Sequence, residues 1–287
     1  RIKKFIMVLN RIKSYAKLNL ALNIIGKTSH LHKIETVVMF ASLHDEIQIK
    51  KIKAKKHTIL FTGKFSNNIN KKNTVSKLLE ILEKKNLLKD KKFKIKVNKR
   101  IPNQAGLGGG SMNAASILNY FVKKKIIKIS KKEVITISKM VSSDVMLGLK
   151  SANCILSKKN EITYFTNCKK IHILIVKPNF GCSTRDIYSK VKGFIKPQFD
   201  KPNKRIFNMG YLKKLNNSLE PIVLSNYKIL RKIKSFLENL PTTEFVRITG
   251  SGSAIVAYFQ SKEKCDKAKN QFNKKYKNYW CIASKTI

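Results

Sequence analysis

Acidic residues are scarce in this chain: 16 Asp and Glu stand against 61 Lys and Arg in 287 residues, a formal charge of +45. So small a set leaves few candidates for a general base and offers no paired carboxylates at glycosidase-like spacing. Arginine is also sparse, with seven residues at 1, 11, 100, 185, 205, 231 and 247. Nucleic-acid recognition relies on guanidinium forks and interleaved aromatics gathered on one face, whereas here Lys is spread along the whole chain. With the abundance of Ile and Asn, that spread is what A/T-rich codons supply at tolerant surface positions. A dedicated nucleic-acid surface is disfavoured. What remains is an attraction for anionic small molecules, reaching over a Debye length of about 8 Å at physiological salt. The five cysteines (154, 168, 182, 265, 281) form no C-x-x-C pair and have no histidine at metal-finger spacing, so a zinc module is excluded and a reduced, cytoplasmic protein is expected. No apolar run approaches the roughly 20 residues of a membrane span. The apolar stretch Phe5–Leu9 is shorter than a signal-peptide core, and Met7 fits a natural start.

The 43% of hydrophobic residues nevertheless suffices for a packed core, and the length suits one large domain or two modest ones. Leu18, Leu20 and Leu22 alternate with Lys17, Asn19 and Ala21, which predicts a strand over Ser14–Ile25 with one buried face and Lys17 pointing away from it. Gly26–Leu31 reads as a loop. Ile34–Phe40 and Asp45–Lys53 read as two further strands in a meander, with Asp45 and Glu46 at a turn. Val75, Leu78, Leu79 and Leu82 predict a helix over Asn73–Asn86, and Phe93–Val97 alternates as a strand.

Four of the twelve glycines fall in Gly106–Gly110, and the residues after them, Ala114, Ala115, Ile117, Leu118, Phe121 and Val122, form the apolar stripe of a helix. A glycine loop feeding a helix N-terminus gathers free N–H groups and the positive dipole end where phosphate oxygens can approach closely; the alternative is a tight turn. Ser111 suits a cap or a phosphate contact. The P-loop and dinucleotide fingerprints both fail, the latter because position 111 is Ser, and the protein-kinase motifs are absent. Asp144 lies in the apolar segment VSSDVMLGL, either as a helix cap or as a carboxylate held for chemistry. Thr249–Ala254 (TGSGSA) joins the strand-like Phe245–Ile248 and Ile255–Phe259 as a hairpin turn, and it is not a G-x-S-x-G elbow. His30 and His32 share the early loop without carboxylates nearby, which makes a poor metal site.

AKLNL at 16–20, PNQAGLGGGSMNAA at 102–115, SDV at 143–145 and TGSGSA at 249–254 together resemble, in order and spacing, the three motifs of the GHMP kinases. The resemblance runs from about residue 14 to about 260. It is greatest to the branch that phosphorylates the C2 hydroxyl of a cytidine diphosphate-linked methylerythritol in non-mevalonate isoprenoid synthesis, whose downstream N-D-x-E-P segment reads Asn217-Ser218-Leu219-Glu220-Pro221 here. It implies a two-domain α+β fold, with an N-terminal ribosomal-protein S5-like ATP-binding domain over 1–158 and a C-terminal ferredoxin-like domain over 159–287. ATP and Mg²⁺ are the implied cofactors, with no dedicated protein metal site. The implied partner is a small-molecule substrate, with no specific nucleic acid and no membrane, in a monomer or homodimer.

Residue by residue, Asp144 matches the catalytic base and Lys17 the lysine that polarises the reacting groups. Pro102, Asn103, Gln104, Ala105, Gly106, Leu107, Gly108, Gly109, Gly110, Ser111 and Met112 match the ATP-phosphate loop. Asn19, His32, Tyr188, Gly250, Ser251 and Gly252 match substrate-side positions, His32 bonding the cytosine and Tyr188 stacking on it. The sequence departs from the pattern at Leu31, where an aromatic usually precedes the histidine, at Asn103–Ala105, at Met112 and at Met146. Two other readings stand beside this one: a mevalonate-type kinase of the same superfamily, and a degenerate basic protein that binds nucleic acid.

Overall fold

The computed structural model describes residues 11–29 and 31–287. Phe5–Leu9, Met7 and His30 lie outside the described residues. Two compact units interleave along the chain. The first takes the chain up to Tyr15, His44–Ile101 and Gly109–Leu149; the second takes Ala16–Leu43, Pro102–Gly108 and Lys150–Ile287.

Two long strands, β1 (Arg11–Lys27) and β2 (His32–Ile52), pair with each other and contribute residues to both units. This differs from the sequence expectation in three ways. Ile34–Phe40 and Asp45–Lys53 belong to one strand, so Asp45 and Glu46 sit mid-strand instead of at a turn. Residues 16–24 of β1 are buried without alternation, so Lys17 does not point to solvent. His32 opens β2 instead of lying in the loop before it. The period-2 pattern marks side-chain faces, but it cannot tell which face another layer will cover.

In the first unit β4 (Lys92–Asn98) pairs antiparallel with the second half of β2 and parallel with β3 (Thr58–Thr62). A parallel pair needs a crossover, and α1 (Thr74–Lys84) lies in it, started by a reciprocal capping box between Asn73 and Ser76. Helices α2 (Gly109–Lys123) and α3 (Lys131–Val141) complete the layer. The stripe of α1 (Val75, Leu78, Leu79, Leu82) packs with Ala114, Ile117, Leu118 and Phe121 of α2 and with Ile47, Phe93 and Ile95 of the strands. Both helices therefore follow their predicted faces.

In the second unit β5 (Asn153–Leu156) pairs antiparallel with Thr36–Val38 of β2 and with β6 (Ile162–Phe165). A separate sheet holds β7 (His172–Lys177), β8 (Phe245–Ile248), β9 (Ile255–Phe259) and β10 (Trp280–Lys285), all antiparallel, in the order β10-β7-β9-β8. Four strands in that order, with helices between the first and second and between the third and fourth, form a ferredoxin-like βαββαβ layout. The first connection carries α4 (Thr184–Ser189), α5 (Met209–Leu212), α6 (Glu220–Asn226) and α7 (Lys228–Glu238); the second carries α8 (Lys262–Lys275). Leu230, Ile233 and Leu237 of α7 and Cys265, Ala268 and Phe272 of α8 share one core with Leu174, Val176, Ala257 and Phe259. Among the described residues no helix is long and apolar enough to cross a membrane.

Candidate functional site

In the second unit the segment from Pro102 to Gly108 folds onto the AKLNL stretch of β1. The Lys17 N–H donates to the Leu107 carbonyl at 3.0 Å, and Gly108, at φ +66°, lies over the lysine stem. A Cβ built at Gly108 would fall 2.7 Å from Cγ of Lys17, so both the backbone conformation and the space demand glycine. Lys17 is only 4% exposed, and its Nζ donates to Asn19 Oδ1 at 2.6 Å. Asn19 is itself fixed, its Nδ2 donating to Thr36 Oγ1 at 2.9 Å and its backbone N–H to Thr249 Oγ1 at 3.0 Å. The ammonium is thus aimed by its partner, and a buried lysine so held keeps a defined direction.

The turn after β8 closes on the same loop. Ala254 N donates to Ala105 O at 3.1 Å, Ser253 N to Gln104 O at 3.3 Å, and Thr249 Oγ1 to Gly106 O at 3.3 Å. Gly106 has φ +72°, and a Cβ there would fall 1.9 Å from the Thr249 carbonyl oxygen. Asn217 supports the turn from behind. Its Nδ2 donates to Ile248 O at 2.9 Å and Gly250 O at 2.8 Å, while Oδ1 accepts from Leu219 N at 3.0 Å. Glu220 Oε2 accepts from Ile248 N at 2.7 Å. The segment Asn217–Pro221 is therefore a scaffold for the TGSGSA turn, a role the sequence did not reveal. Ser251 Oγ lies 2.9 Å from Thr184 Oγ1 at the start of α4.

At the other end of this group the His32 ring lies 5.3 Å from Tyr188 and 6.5 Å from Phe194. Partial burial, then the positive charge of Lys27, holds its imidazole below the usual pKa of 6.5. Leu31, beside it, is exposed.

In the first unit α2 begins at Gly109, directly after the part of the loop just described, so its first N–H groups have no intrahelical partners. Ser111 sits in that first turn, and its Oγ lies 2.9 Å from Ser142 Oγ, the C-cap residue of α3. Asp144 is half-buried and stands immediately before the short 3₁₀ turn Val145–Leu149, whose bond from Leu147 N to Asp144 O has a length of 3.1 Å. Asp144 thus stands at the start of a helical turn. Met112 is buried, and Gly148 leaves it room, since a Cβ at Gly148 would meet Met112 Sδ at 2.7 Å.

Asp45, fully buried in β2, was missed by sequence reasoning. It binds Lys99 Nζ, accepts from the backbone N–H groups of Arg100 and Ile101 at 2.7 and 2.8 Å, and accepts from Asn113 Nδ2 at 2.9 Å. One carboxylate thus ties the end of β4 to the first turns of α2, which fixes where the helix N-terminus lies. Removing one member of such a buried network leaves the rest uncompensated.

Lys17, Asn19, the loop 102–108, Gly250–Gly252, His32 and Tyr188 lie in the second unit, and the start of α2, Ser111 and Asp144 lie in the first. Among the described residues no group of three or more His, Cys, Asp or Glu is arranged to hold a metal ion. The glycine cradle that Cβ atoms would fill suits phosphate. A magnesium ion fits only in the mode where phosphates bring most of its ligands.

Residues 73–156 match the family model for the GHMP kinases N-terminal domain, and residues 193–278 match that for the GHMP kinases C-terminal domain. A 4-diphosphocytidyl-2-C-methyl-D-erythritol kinase of Pelagibacter ubique (strain HTCC1062) is 56% identical over 277 residues, covering 96% of this chain and 99% of the relative. The crystal structure of a 4-(cytidine 5'-diphospho)-2C-methyl-D-erythritol kinase superposes with a TM-score of 0.76 at 19% identity, over 96% of this chain and 99% of its own. A mevalonate kinase structure reaches 0.64 at 13% identity, over 96% and 99%.

Proposed function

The chain belongs to the GHMP kinase family, among relatives named 4-diphosphocytidyl-2-C-methyl-D-erythritol kinase, and on that premise we propose that it is the small-molecule kinase transferring the terminal phosphate of ATP to the C2 hydroxyl of that cytidyl substrate. One observation carries the reading: the glycine loop closes over Lys17, whose ammonium is aimed by a buried asparagine. Phosphoryl transfer asks for positioned positive charge more than for covalent chemistry, and this arrangement supplies it.

In this reading Pro102–Met112 receives the ATP phosphates, with N–H groups from the first turn of α2 facing the anion. Asp144 accepts the proton of the attacking hydroxyl as its oxygen bonds the terminal phosphorus and the bond from that phosphorus to the bridging oxygen breaks, releasing ADP. Lys17 balances charge on the transferring group. Magnesium, when bound with ATP, neutralises phosphate charge. Asn19 and Gly250–Gly252 shape the substrate side, and His32 and Tyr188 take the base. The evolutionary domains divide at 158, which is supported by family models ending at 156 and beginning at 193. Five free cysteines support a reducing, cytoplasmic setting.

The test is transfer of labelled terminal phosphate from ATP with magnesium to 4-diphosphocytidyl-2-C-methylerythritol, with mevalonate as the parallel acceptor. Turnover of the cytidyl compound alone is expected. Asp144→Asn should lower kcat by about 10²–10⁴ while ATP affinity holds; an unchanged kcat removes Asp144 from the mechanism. Equal use of mevalonate overturns the substrate, and steeply salt-dependent RNA binding without kinase activity would favour the nucleic-acid reading.

A further inference from the structure

After α4 the chain crosses residues 194–199 without helix or strand, yet this stretch is pinned at several points. Ile195 N donates to Ile24 O at 2.9 Å. Gln198 N and Phe199 N donate to the two oxygens of Glu35 at 2.6 and 3.1 Å. Asn23 Nδ2 donates to Glu35 Oε1 at 2.8 Å and to Gln198 Oε1 at 3.2 Å. Glu35 is fully buried, and among the described residues it forms no ion pair. Its acceptor capacity is spent on the strap's backbone and on Asn23, and charge-assisted bonds of this kind hold a segment firmly.

Phe194 stands immediately before the pinned stretch. It is 53% exposed, an unfavourable position for a large apolar ring unless something covers it at work. Its ring lies 6.5 Å from that of His32, which in turn lies 5.3 Å from Tyr188. Two aromatic rings therefore flank one imidazole, while the neighbouring Leu31, 69% exposed, offers no π face. A neutral imidazole presents one donor and one acceptor, which suits the edge of an aminopyrimidine, while the rings offer stacking surfaces.

We propose that Phe194 is an aromatic wall of a nucleobase pocket shared with Tyr188 and His32, and that Glu35 is the positioning residue that holds the strap so the ring is ready. The ligand class is the base of a pyrimidine nucleoside diphosphate. The proposal rests on the substrate reading above, and it adds a specificity residue that the motifs do not contain.

Binding of cytidine 5'-diphosphate, measured by calorimetry on the full chain, separates the two. Phe194→Ala should weaken that binding by roughly 5- to 150-fold, the range for loss of one stacked aromatic. It should raise KM for the cytidyl substrate and leave KM for ATP in place, and Phe194→Trp should restore binding. Glu35→Gln, which leaves one strap N–H without its acceptor, should raise the same KM with kcat little changed. Wild-type affinity for the diphosphate in Phe194→Ala overturns the role of Phe194. A folded Glu35→Gln variant with unmoved affinity removes Glu35 from its positioning role. If the wild type binds the diphosphate but does not phosphorylate the cytidyl alcohol, the substrate reading falls while the pocket stands.

Discussion

The glycine loop and the aromatic cluster of the second unit are built by opposite means. Around Lys17 the structure uses backbone: carbonyls of Gln104, Ala105, Gly106 and Leu107 receive bonds, and two glycines at positive φ leave no room for a Cβ. Around His32 it uses side chains, two of them rings, one on a helix and one on a strap with no regular structure. A backbone-built site is rigid and intolerant because each atom that would move belongs to the chain path. A side-chain site can be assembled from different positions provided the rings meet.

The sharpest way to break this contrast is Gly106→Val. It must place a branched side chain at φ +72° and against the Thr249 carbonyl, so strain of about 1–3 kcal/mol from the conformation alone adds to a backbone clash. Loss of folding or of more than about 10³ of activity is expected, and a stable, active variant would show that the loop is looser than described. Next, Asn217→Ala leaves the Ile248 and Gly250 carbonyls and the Leu219 N–H unpaired. A loss of about 1–3 kcal/mol of stability per stranded group, relieved where water enters, should appear as a several-degree fall in Tm. An unchanged Tm would mean that the turn supports itself.

The smallest effect concerns pH at the aromatic end. The His32 pKa lies below 6.5, so the ring is neutral at pH 7 and gains a proton only as pH falls through that lowered value. KM for the cytidyl substrate should be flat above pH 6.5 and rise below it, because the protonated ring loses its acceptor. A His32→Asn variant should flatten the profile. Stability follows the same sign, since the unfolded state takes up the proton first and the folded state loses ground as pH drops.

This contrast also explains what could be read in advance. The glycine loop and the TGSGSA turn were legible because local glycine spacing and a short motif carry backbone requirements directly. The helical stripes of α1 and α2 were legible because a 3.6-residue period survives any packing partner. Asp45 was not, because its partners at Lys99, Ile101 and Asn113 are 54 to 68 residues away and nothing local marks a mid-strand aspartate as a tie. Glu35 meets the strap at a separation of 163 and 164 residues, and Phe194 gains meaning only from that long closure. The burial of Lys17 was missed for a related reason: alternation records two faces, and here both are covered.

Asn103, Gln104 and Ala105, which depart from the small residues usual in such loops, acquire a simple account from the bonds already described. The Asn103 and Gln104 side chains are exposed, while the Gln104 carbonyl accepts from Cys182 N and Ser253 N and that of Ala105 accepts from Ala254 N. Peptide groups are the same whatever codon is used. The side chains at 103 and 104 can therefore be exchanged while the mechanical frame of this loop, made of peptide groups, stays as it is.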